Sequence, residues 1–161
     1  MAEENGSEQA GPAALDAAAA LDRAIQFHRQ GQHDQAIEAY SAILRGDPSQ
    51  PRVWVNLGVV LRAAGRLEAA VAAYRRAIAL EPQNAGIHSN LGNVLRDLGR
   101  RDEAIAAQER SLALDPANHA ASYNMALLLR DMGRWREALP HFDRCIAGGH
   151  DRAKSTRLNS S

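Results

Sequence analysis

An all-α solenoid of four helix-turn-helix repeats is the fold class that the sequence predicts, and three observations predict it. The first is a phrase that recurs at one interval. SNLGNVLRDLGR at 89–100 is preceded 34 residues earlier by VNLGVVLRAAGR and followed 34 residues later by YNMALLLRDMGR. The second is punctuation in the same step: Gly31, Gly65, Gly99 and Gly133; Ala36, Ala70, Ala104 and Ala138; Pro48, Pro82 and Pro116. A period between 20 and 50 residues marks stacked supersecondary units. The third is composition. Aromatic residues make up only 4% of the chain and alanine is abundant. That balance suits helices packed through small residues better than a sheet, and no strand-like alternation is present.

The elements follow in order. Residues 1–14 are polar with Gly and Pro and are expected to be a disordered leader. The array spans 15–148, with repeats at 17–50, 51–84, 85–118 and 119–148. Each repeat holds two helix-length segments. In the second, residues 51–64 run to the turn Gly65-Arg66, and residues 67–80 run to Glu81-Pro82. Glycine ends the first helix because it tolerates positive φ, and proline follows the second because it cannot extend it. Numbering the first helix of each repeat from 1 to 14, the apolar positions 4, 7, 8 and 11 share one stripe at ~100° per residue. The small residue at position 8 (Ala24, Gly58, Gly92, Ala126) lets the partner helix approach closely. The second helix returns alanine and an aromatic ring into that gap, Ala70 with Tyr74 and Ala138 with Phe142. Stripe leucines such as Leu91 are expected to cost ~2–5 kcal/mol when cut to alanine. Residues 149–161 lack the period for a closing helix and are expected to be a disordered tail. Within it, KSTRLNSS at 154–161 looks like one translated frame of a sequencing-library adapter, so the natural chain is expected to continue past about Ala153; the alternative is a natural polar tail.

Composition also excludes several function classes. Lys+Arg and Asp+Glu number 19 each, so the formal net charge is zero. A general binder of nucleic acid or of a membrane surface would carry a basic excess. Cys145 is alone, which leaves no intrachain disulfide and no cysteine metal site. The start, MAEENGSEQAGP, has neither the basic nor the apolar region of a secretory signal, and no apolar run approaches the ~20 residues of a membrane span. A cytoplasmic protein is expected. The six histidines are scattered, without HExxH spacing, and no glycine-rich phosphate loop occurs. Cys145 reads as a buried small apolar residue rather than a nucleophile. No catalytic constellation emerges, so neither an enzyme nor a cofactor nor a metal is expected.

The fixed positions resemble those of the tetratricopeptide repeat family: Trp-x2-Leu-Gly-x2-Tyr, then Gly, Ala, Phe/Tyr, Ala and Pro. Residues 51–84 carry Trp54, Leu57, Gly58, Leu61, Gly65, Ala70, Tyr74, Ala77 and Pro82. Residues 85–118 carry His88, Leu91, Gly92, Leu95, Gly99, Ala104, Gln108, Ser111 and Pro116. Repeat four has Ser122, Met125, Ala126, Leu129, Gly133, Ala138, Phe142 and Cys145, with His150 where proline belongs; repeat one is weaker, with Ala24, Phe27, Gly31, Ala36, Tyr40, Ile43 and Pro48. The resemblance extends to bacterial members and implies a right-handed superhelix whose concave groove is lined by positions 2, 5, 6, 9, 12 and 13 of the first helices.

That implied groove supplies the candidate partner-binding residues. Asn56, Asn90 and Asn124 stand at position 6, Asn93 at position 9, Tyr123 at position 5, and Arg62, Arg96 and Arg130 at position 12. An asparagine amide offers both donor and acceptor, which suits the backbone of an extended peptide. Similar asparagine ladders occur in the repeats of O-linked GlcNAc transferases. The arginines would select acidic side chains through forked hydrogen bonds; the alternative is that they pair with Asp at position 13 of a neighbouring repeat. The carboxylate clamp of some co-chaperones is not matched. Leu21 and Ile25 stand where its first-repeat cation and asparagine belong, and Gly86 and Asn90 where its later cations belong, so chaperone tails are not expected as ligands. The function expected is a scaffold or adaptor that binds a peptide or helix of a partner protein. The alternative is the substrate-recruiting N-terminal part of a larger enzyme, a glycosyltransferase. A third option is weak self-association through uncapped ends of the array.

Overall fold

Four glycines set the repeat. Gly31, Gly65, Gly99 and Gly133 have φ between +70° and +74°, and among the described residues no other residue type takes positive φ. Each closes the first helix of its repeat with the same two bonds. The Arg66 amide donates to the Leu61 carbonyl at 2.8 Å and the Gly65 amide to the Arg62 carbonyl at 3.0 Å, and the pair recurs at each of the other three glycines. This is the Schellman closure, in which glycine avoids the steric cost that a Cβ would meet in the left-handed region.

The computed structural model describes the backbone of residues 12–158 and the side chains of residues 16–147. It holds α1 (Pro12–Arg29), α2 (His33–Gly46), α3 (Pro51–Ala63), α4 (Leu67–Leu80), α5 (Ala85–Asp97), α6 (Arg101–Leu114), α7 (His119–Asp131) and α8 (Trp135–Leu158). All regular structure among the described residues is helical. Pro51 begins α3, where a missing amide hydrogen costs nothing. The Asn84 and Asn118 side chains, 34 residues apart, cap α5 and α7 by accepting from Gly86 and Ala121 amides.

Each helix packs on the next in sequence. In addition α3 touches α5 and α5 touches α7, while among the described residues no comparable contact joins α1 to α3, α2 to α4, α4 to α6 or α6 to α8. The first helices of repeats two to four therefore crowd together on one side, and the second helices spread on the other. That is the curvature of a solenoid with its groove on the first-helix face.

The core carries more than the expected stripe. In α3 the buried residues are Val53, Leu57, Gly58, Val60 and Leu61. Positions 7, 8 and 11 are as expected, but positions 3 and 10 are buried as well, and they recur as Ile87 with Val94 and Ala121 with Leu128. A first helix is wedged between its own partner and the helices of the preceding repeat, so it needs a second apolar stripe. Position 4 is used differently. The Trp54 indole donates to the Pro48 carbonyl at 2.8 Å, and His88 Nε2 stands 2.9 Å from the Pro82 carbonyl. Leu91 is only half-buried, so its truncation belongs at the low end of the expected range; Leu95 is the closed core leucine of that helix.

The close approach at position 8 is as the sequence suggests. A Cβ built on Gly58 would lie 2.8 Å from the Tyr74 ring. The core then divides. A large cluster runs from Ala24 to Ala107 with Leu128, and a small one holds Met125, Leu129 and Ala138. Buried Gln108, Ser111 and Ser122 mark the seam.

The ends differ from expectation. Helix begins at Pro12, inside the stretch read as leader, and residues 1–11 lie outside the described residues. The tail read as disordered from 149 continues α8 to Leu158; the adapter-like segment is helical to that point and outside the described residues beyond it. His150 stands where proline stops the earlier second helices, and Arg152, Ala153 and Lys154 favour helix.

Gly58→Ala is expected to lower stability by about 1–3 kcal/mol through overpacking against Tyr74. Urea unfolding of the two proteins measures it, and the loss shrinks when Tyr74→Leu is made in the same chain.

Candidate functional site: the concave groove

Two cavities lie on the groove face in the same register, one repeat apart. The first, about 420 Å³, is lined by Ile25, His28, Arg29, Tyr40, Arg52 and Asn56. The second, about 480 Å³, is lined by Val59, Arg62, Ala63, Tyr74, Asn90 and Asp97. Each is built from positions 9, 12 and 13 of one first helix, the tyrosine of its partner helix, and position 6 of the next first helix. The cavities exist because tyrosine lies across a small residue at position 8. Burial pushes the Tyr74 phenol up to about 12 against the opposing Arg62 charge, and it raises Tyr40 against the opposing pull of Arg52 and Asn56. Both phenols are therefore neutral donors at physiological pH.

The structure separates the four candidate asparagines. Asn56 and Asn90 are part-exposed at equivalent cavity walls; Asn56 lies close enough to the Tyr40 hydroxyl to pull that phenol downward. Asn93 is engaged: Gln108 Nε2 donates to its Oδ1 at 3.3 Å and to the Ser89 carbonyl at 3.1 Å. Asn124 reaches Ser89 Oγ only at 3.5 Å. Gln108 occupies the tyrosine place and is fully buried, with its Oε1 unpaired. Its Nε2 would lie 2.6 Å from a Cβ on Gly92.

The three candidate arginines already face carboxylates. Arg62 pairs with Asp97 at 2.6 Å, across one repeat, and Arg96 lies 3.8 Å from the same residue. Arg130 pairs with its neighbour Asp131 at 2.7 Å. The first is the position-12 to position-13 pairing between repeats that the sequence left as the alternative. Tyr123 is 49% exposed and meets Phe142 edge to face at 6.3 Å. In the sequence, His28 and Arg29 fall at groove positions 12 and 13 without joining a recurring column, Arg52 stands alone at position 2, and Tyr40 and Tyr74 fall at packing positions. The available signal was position 2, already on the groove side, and the break from tyrosine to Gln108 in one column.

Elsewhere the chemistry is sparse. Cys145 is half-buried rather than buried, its Sγ donates to the His119 carbonyl at 3.4 Å, and burial pushes its thiol up. No group of three metal-ligating side chains occurs among the described residues, and no helix there is long and apolar enough to cross a membrane.

Comparison with known proteins agrees with this architecture. A family model described as tetratricopeptide repeat matches residues 21–85 and 89–153, and a second of the same description matches 61–110. The chain is similar to a crystal structure of MamA, with 25% identity and a TM-score of 0.80 over 86% of this chain and 81% of that one. It is similar to MamA from Desulfovibrio magneticus RS-1, with 16% identity and a TM-score of 0.78 over 84% and 76%. It is also similar to the first repeat domain of Spaghetti (RPAP3) bound to the HSP90 peptide SRMEEVD, with 23% identity and a TM-score of 0.69 over 73% and 93%. A comparison with curated proteins found no match. None of the three structures is a glycosyltransferase, so the resemblance drawn from the asparagine column has no support there.

Gln108→Tyr restores the aromatic column and removes an unpaired buried carbonyl. It is expected to raise stability by about 1–2 kcal/mol, read as a higher urea midpoint at unchanged slope.

Proposed function

The chain belongs to the tetratricopeptide repeat family, and on that premise we propose that it is a protein-interaction adaptor whose groove holds an extended segment of a partner protein. The observation that carries this reading is the recurrence of Asn56 and Asn90, both part-exposed, on equivalent cavity walls. Two amides repeated at one interval meet a peptide backbone at regular steps, whatever its side chains. Asn124 extends the row. Asn93 acts from behind, through Gln108, and Tyr123 offers an exposed ring at the far end. Each neutral hydrogen bond contributes only ~0.5–1.5 kcal/mol, so the affinity is micromolar in class. Arg62, Arg96 and Arg130, each beside an aspartate, contribute position more than net charge.

This is binding rather than catalysis. A thiol raised by burial is a poor nucleophile at neutral pH. The reading as part of a glycosyltransferase gains nothing from the relatives found. Self-association has an observation of its own. Trp135, Leu139 and Ile146 are 58%, 60% and 60% exposed along one face of α8. The same positions in α4 (Leu67, Val71 and Ile78) join the core, where α5 follows.

The test is a random-peptide display selection on the full chain, followed by titration of the enriched peptide. The expected result is micromolar binding that falls at least tenfold in the triple variant Asn56→Ala/Asn90→Ala/Asn124→Ala, with mass by sedimentation unchanged. Unchanged peptide binding in the triple variant contradicts the groove reading. A mass that rises with concentration and is abolished by Leu139→Glu assigns self-association to the α8 face.

A further inference from the structure

The two groove cavities match in register but not in charge. In the second, the Arg62 guanidinium is neutralised by Asp97, which stands at position 13 of the following repeat. In the first, the residue at position 13 of the following repeat is Ala63, so the corresponding carboxylate is missing. His28 and Arg29 occupy the places of Arg62 and Ala63, and Arg52 enters from α3 at position 2. No carboxylate lines this cavity. Among the described residues Arg29 and Arg52 form no ion pair, whereas Arg62, Arg96 and Arg130 all do. Glu81 shares an adjacent cavity with Arg52; its carboxylate accepts from Asn84 Nδ2 at 2.8 Å and forms no ion pair with Arg52 among the described residues.

The cavity also holds unspent donors. The Tyr40 side chain is fully buried, and its hydroxyl has no hydrogen-bond partner. A buried hydroxyl left unpaired is costly, and a ligand atom that accepts from it recovers that cost. Asn56 adds an amide on the same wall, beside that hydroxyl. Two guanidiniums, one phenol and one amide therefore converge on one space of about 420 Å³ with no acceptor of matching charge.

We propose that the cavity between the first two repeats is a carboxylate subsite, which takes an aspartate or glutamate side chain, or the chain end, of the segment held in the groove. This inference rests on the groove reading and adds to it a charge preference and a fixed register. The asparagines hold backbone without regard to sequence; the subsite chooses which residue lies between repeats one and two. It differs from the co-chaperone clamp in place and composition, since Leu21 and Ile25 stand at that clamp's first-repeat positions. Arginine forks suit a planar carboxylate, and charge-assisted hydrogen bonds exceed neutral ones.

Three nine-residue peptides in one Gly-Ser-Thr host test the proposal: one amidated with a central glutamate, one amidated with glutamine there, and one with glutamine and a free carboxyl end. Each is titrated into the full chain and followed by two-dimensional NMR. A carboxylate subsite gives about tenfold tighter binding for the glutamate peptide, for the free-ended peptide, or for both, with shifts at the Arg29 and Arg52 side chains. The first result assigns a side chain, the second a chain end. The preference disappears in Arg29→Gln/Arg52→Gln. It disappears equally in Ala63→Asp, which supplies the missing acid at an exposed site without removing any donor. Equal binding of all three peptides, with shifts at Asn56 and Asn90, overturns the subsite and leaves the groove reading intact. No binding by any peptide overturns both.

Discussion

The contact between position 8 of each first helix and the side chain that crosses it is the interaction on which the rest depends. Gly58 leaves room for the Tyr74 ring at a distance no Cβ would permit. Ala24 and Tyr40, at the same places in the first repeat, are both fully buried. The glycine turns fix which residues meet there. Once the ring lies across the helix, its phenol faces the groove, and the space beside it becomes a cavity. Packing and binding are thus not separate layers of this sequence. The residue that closes the core is the one that floors the site.

The same contact explains why the array is not uniform. In repeat three the column changes from tyrosine to Gln108, which fills the space over Gly92 but brings polar atoms into the core. One end of its amide is satisfied by Ser89 and Asn93; the other is not. With Ser111 and Ser122 also buried, the apolar core splits at this junction. The groove changes there too, since Asn93, expected as a ligand contact, instead accepts from Gln108. The first two junctions carry open cavities, and at the third the buried Gln108 amide ties Asn93 to the Ser89 carbonyl.

Much of the fold was legible because the period repeats each residue's role several times. Glycine, alanine and proline in one step gave the turns, the close contact and the helix ends. Less legible was anything that depends on two elements meeting at an angle. Positions 3 and 10 look unremarkable along one helix and are buried only because a neighbouring repeat covers them. Leu91 has the right place in the stripe, yet it is half-buried. The Arg62–Asp97 pair spans 35 residues and competes with a ligand role that the column alone suggested. Arg52 was hidden by being the only arginine at its position, since a column reading notices what recurs and misses what departs. The α8 continuation was missed because absence of proline is a weaker signal than its presence.

The most direct measurement is a crystal structure of the full chain with a display-selected peptide. The account predicts an extended peptide along the first-helix face, with Asn56 and Asn90 amides each within ordinary hydrogen-bond distance of its backbone. A peptide seated on the second-helix face, or one that leaves both amides unengaged, contradicts it.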